Sequence, residues 1–79
     1  MNIPWILVHL EEAHQELARV IEKLQTAEDR DETTLSYEMA HIYHHLNTAW
    51  NARAVNGEQI AAMSDSDFDM WRAFPTDLE

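Results

Sequence analysis

Residues 3–27 read IPWILVHLEEAHQELARVIEKLQTA, and the spacing of their apolar side chains decides the fold. Ile3, Ile6, Leu10, Ala13, Leu17, Val20, Leu24 and Ala27 recur at alternating intervals of three and four. That is an unbroken heptad seam, the signature of a long helix packed lengthwise on another helix. Pro4 suits the first turn, where its missing N–H has no partner to lose. The pattern predicts a helix over residues 4–28. Its apolar positions span an arc of roughly 160° at about 100° per residue, widened by Leu7 and Ile21. One neighbouring helix covers only part of so wide a stripe.

The next segment, residues 29–33, is polar and holds several N-cap candidates, which predicts a tight turn. A second helix is expected over residues 34–55. Leu35, Met39, Ile42, Leu46, Ala49 and Arg53 continue the seam, and Asn56-Gly57 is expected to end it with Gly57 as a left-handed cap. Glu58–Met63 suits one further turn. Ser64-Asp65-Ser66-Asp67 has the form of a capping box, so a short helix is expected over residues 65–73, stopped ahead of Pro75. The fold class is therefore all-α: an antiparallel helical hairpin plus a short C-terminal helix. The surplus apolar surface of the first helix predicts a homodimer closing as a four-helix bundle, with the C-terminal helix as the alternative cover.

Size and charge narrow the function. Seventy-nine residues form one small domain whose own core is marginal, and without cysteine it has neither disulfide nor thiolate metal site to stabilise it. Fifteen acidic residues against five basic ones give a net charge of −10. Arg19, Lys23, Arg30, Arg53 and Arg72 are too scattered to form the basic stripe a nucleic acid needs, and anionic membrane surfaces are disfavoured for the same reason. The apolar run at residues 3–10 is too short to span a bilayer and has no basic start. A cytoplasmic location is expected.

Candidate chemistry concentrates in residues 37–53, YEMAHIYHHLNTAWNAR. Glu38, His41 and His45 fall at i, i+3 and i+7 on one helix flank, and a His pair at i, i+4 can share a zinc, nickel or copper ion. His44 lies nearly opposite the apolar stripe and is expected in solvent. His9 and His14 are read as boundary residues, and Glu11, Glu12 and Glu16 as a solvated face. The pairs Glu11-x-x-His14 and Glu38-x-x-His41 resemble the ligand unit of ferritin-like di-iron carboxylate bundles. A turn centred near residue 31 sets those pairs about eight residues apart along the hairpin, on the order of 12 Å, too far to share one metal pair. The histidines also lack the nearby lysine and glycine of phosphotransfer domains.

Arg53, at a seam position, is expected to meet a tail carboxylate from Asp67, Asp69 or Asp77, with Trp50 and Trp71 packed nearby. Trp50 and Arg53, with His45, form a second candidate ligand pocket. No cysteine nucleophile and no glycine-rich phosphate loop is present. The expected role is a non-catalytic structural or regulatory interaction module acting as a homodimer, with a partner protein unnamed by the sequence. The alternative is a metal-binding bundle built on Glu38, His41 and His45.

Overall fold

A computed structural model describes all of residues 1–79. Its elements are α1 (Ile3–Thr26), α2 (Glu32–Asn51), α3 (Gly57–Ala61) and α4 (Asp65–Trp71), with no strand. The two long helices pack against each other as a hairpin, and α4 lies on α2. None of them is long and apolar enough to cross a membrane.

Local chemistry explains the boundaries. The Asn2 side chain accepts from the Trp5 backbone N–H, with Pro4 in the first turn of α1. Ala27 ends α1 in the left-handed conformation at φ 58°, and its N–H donates to the Lys23 carbonyl. Arg30 reaches back to cap the Leu24 carbonyl at 2.8 and 3.2 Å. Asp31 then caps α2. The hairpin centre thus falls near residue 29, two residues earlier than the polar segment suggests. That moves every cross-helix pairing by about one turn.

The far end departs further from the sequence pattern. α2 stops at Asn51 rather than Val55. Gly57 is not a left-handed cap: no glycine has positive φ, and Asn56 forms a capping box with Gln59 that starts α3 instead. The Ser64/Asp67 capping box forms as the sequence suggests and starts α4. Two asparagines one turn apart on α2 hold the end of α4. Asn47 Nδ2 donates to the Arg72 carbonyl at 3.0 Å, and Asn51 Nδ2 to the Trp71 and Ala73 carbonyls at 2.8 and 2.7 Å.

The heptad seam splits in two. Ala13 and Val20 are buried against Ile42, with Leu35 packed beside them. Leu10, Leu17 and Leu24 remain exposed, as do Ile3, Leu7 and Ile21. Together these six residues, with His14, form a second stripe at spacings of four and three that the rest of the chain leaves partly uncovered. Met39 and Leu46 extend it onto α2. The C-terminal helix does not cover it, so that alternative is corrected: α4 packs on the other side of α2. The buried residues are all small or medium, and no large side chain is fully enclosed. This hairpin has a thin core and a broad apolar face.

Candidate functional site

His9 and Glu16 stand roughly 50° to one side of the α1 line that faces α2, and Leu10 and Leu17 about as far to the other. The apolar stripe, with His14 in it, and the other four histidines therefore occupy opposite faces of the hairpin. On the polar face α1 contributes His9 and Glu16 (i, i+7), and α2 contributes His41 and His45 (i, i+4). These spacings stack each pair on one side of its helix.

The contacts are short. His41 Nδ1 lies 2.8 Å from Glu16 Oε1. The Nδ1 atoms of His9 and His45 lie 3.0 Å apart, so one ring donates and the other accepts. The His41 and His45 rings are 4.8 Å apart, and Trp5 meets His9 edge-on at 4.4 Å. Glu16, His41 and His45 each offer one ligand-type atom, all within 4.8 Å of one another. His9, His41, His44 and His45 line one cavity of about 190 Å³, closed by Thr48, by Phe68 of α4 and by Arg72, the C-cap of that helix. Burial holds His9 below its ordinary value of 6.5; the His45 ring lowers it further and Glu12 opposes the shift. His44 is likewise lowered, by desolvation first and then by Arg72, His41 and His45. It is half-buried rather than in free solvent.

Of the metal set read from sequence, His41 and His45 come together; Glu38 lines a small cavity with Glu16 and His41 but lies outside the 4.8 Å group. Glu38 instead pairs with Lys23 at 3.3 Å. Glu16 stands beside the two histidines instead, and its side chain is only 15% exposed, so the solvated role assigned to it needs correcting. His9 and Glu16 were legible only through the cross-helix register. With the turn centred near residue 31, His45 sits level with Leu17; centred near 29 it sits level with Ala13, between His9 and Glu16.

The second candidate pocket is apolar. Trp50 and Arg53 line a cleft of about 310 Å³ with Ile3, Ile6, Leu10 and Leu46, and His45 is not part of it. The Arg53 guanidinium sits 3.9 Å over the Trp50 ring and donates to the Trp50 carbonyl at 2.8 Å. No tail carboxylate reaches it, which corrects the expected ion pair: Asp77 accepts from Trp50 Nε1 at 2.9 Å, Asp69 meets Arg72, and Asp67 caps α4. Trp71 lines a small cavity with Trp5 and His9 rather than packing on Trp50. An arginine stacked on an aromatic face and bonded to a carbonyl is satisfied at a seam position without a counter-charge.

No family model, no curated protein and no solved structure matches this chain.

Proposed function

We propose that this chain works by self-association: two hairpins join their exposed apolar faces into a four-helix bundle, which serves as a non-catalytic structural or regulatory interaction module. The observation that carries this reading is the second stripe, in which Ile3, Leu7, Leu10, Leu17, Ile21 and Leu24 stay exposed at heptad spacing. At 1.5 Å per residue it runs about 32 Å. With the α2 side chains beside it, the face covers on the order of 600 Å² per chain, which reaches the lower range of stable protein interfaces.

A second copy suits this face better than an unrelated partner. Heptad stripes on both helices of a hairpin are self-complementary under two-fold symmetry, so knobs from one copy meet holes in the other. The thin internal core supports the same view, because a chain of this size gains from burying a shared core. The apolar cleft beside Trp50 opens on the same face and would receive partner side chains.

Sedimentation equilibrium on untagged protein tests the proposal. A dimer at micromolar concentration, strengthened by salt that screens the charge of −10 on each chain, is expected. A monomer throughout the range up to hundreds of micromolar would sink it.

A further inference from the structure

The polar face has no role in that association. Its side chains are an unusual set for a mere helix boundary: four imidazoles around one cavity and a carboxylate drawn in from the facing helix. Hydrogen bonding within the set is incomplete. Glu16 Oε2 is buried and has no partner in the chain. Buried polar atoms are satisfied in the great majority of native sites, so an orphaned carboxylate oxygen inside a histidine cluster calls for a ligand. The set is rich in lone pairs, and a cation satisfies lone pairs where another hydrogen-bond acceptor cannot.

We propose that Glu16, His41 and His45 bind one divalent transition-metal ion of the zinc class, with His9 as the nearest fourth donor. The donor types select the ion. Two imidazoles and a carboxylate suit zinc, nickel or cobalt, whereas calcium and magnesium take oxygen ligands throughout. Metal–ligand bonds of about 2.1 Å place neighbouring ligand atoms roughly 3.0–3.4 Å apart. The Nδ1 atoms of His9 and His45 already stand at 3.0 Å. Closing the remaining set from its present 4.8 Å limit takes side-chain adjustment alone, since the donors sit on helices already packed together. The adjoining cavity of about 190 Å³ leaves room for water or a small anion on the ion. Because the ligands come from both α1 and α2, the ion ties the hairpin together across its polar side.

Zinc titration of the untagged, chelator-stripped full chain tests this, read by calorimetry, native mass spectrometry and thermal melting. One zinc per chain and a melting temperature higher by several degrees are expected. His41 is 60% exposed, so His41→Ala should leave the apo fold intact while weakening zinc more than 100-fold, beyond the loss typical of an outer-sphere partner. Glu16→Gln should weaken binding strongly, and Glu38→Gln should leave it unchanged. Zinc uptake that does not saturate below millimolar concentration overturns the proposal. So does binding indifferent to His41→Ala, or equal losses from Glu38→Gln and Glu16→Gln. Every ligand lies in one chain, so a variant that no longer dimerises should bind zinc as the parent does.

Discussion

Replacing Leu10 and Leu17 together by glutamine tests the association of the hairpins most directly. The two side chains are 42% and 44% exposed in the single chain. Fully burying a leucine stabilises by about 1.5–3 kcal/mol, so covering the remaining fraction contributes about 0.6–1.3 kcal/mol at each site. A two-fold dimer contains four such side chains, for about 3–5 kcal/mol in all. The substitution should therefore weaken dimerisation by roughly 100- to 5,000-fold. Glutamine matches leucine closely in helix propensity, and both sites are partly exposed in the monomer, so the helical content of the isolated chain should hold. Sedimentation equilibrium gives the dissociation constant and far-UV circular dichroism checks the fold. If the double variant dimerises as tightly as the parent while remaining folded, this face is not the interface and the argument from the stripe fails.

Three further outcomes follow from local features. Ala27 holds a left-handed backbone that glycine adopts freely, so Ala27→Gly should stabilise by about 0.5–1 kcal/mol and raise the melting temperature by about 3–6 °C; no gain would mean that the conformation carries no strain. Asn51→Ala removes two bonds to the end of α4 and should loosen the C-terminal segment by about 1–2 kcal/mol, read as faster amide exchange after residue 56 with the hairpin unchanged. His9 has its folded pKa lowered, so the unfolded chain takes up the proton first. Its contribution to stability is present above pH 6.5 and is lost as the pH falls below that value. Chelator-treated protein should lose stability over that window, and His9→Gln should flatten the slope; an unchanged slope would remove His9 as its source.

The heptad spacing of residues 3–27 carries the long first helix, the hairpin and the surplus apolar face, because a 3.6-residue period leaves few other solutions for so regular a pattern. The Ser64/Asp67 capping box was equally legible, since its bonds are local. The histidine cluster was half legible. His41 and His45 are set by helical spacing within α2, but Glu16 and His9 depend on where the chain reverses. That point is decided by Ala27 taking a left-handed conformation and Arg30 folding back on Leu24, neither of which a polar loop composition reveals. Gly57 misled for a related reason: a glycine after a helix suggests a left-handed cap, whereas Asn56 and Gln59 compete for the same backbone and start a new turn. Arg53 misled because a charge at a seam position suggests a counter-ion, and an aromatic face with a helix-end carbonyl serves as well.

The opposition of the two faces has a geometric corollary. In a bundle joined through its leucines, each hairpin turns His9, His41, His44 and His45 outward, so the assembly would display two identical imidazole clusters on its far sides with the shared core between them. Neither cluster can complete the other's coordination shell, and an ion bound at one is separated from its twin by two layers of helix. Such an assembly should load its two sites independently, with a hyperbolic isotherm. Its outer faces would then be the surfaces left for anything else that binds.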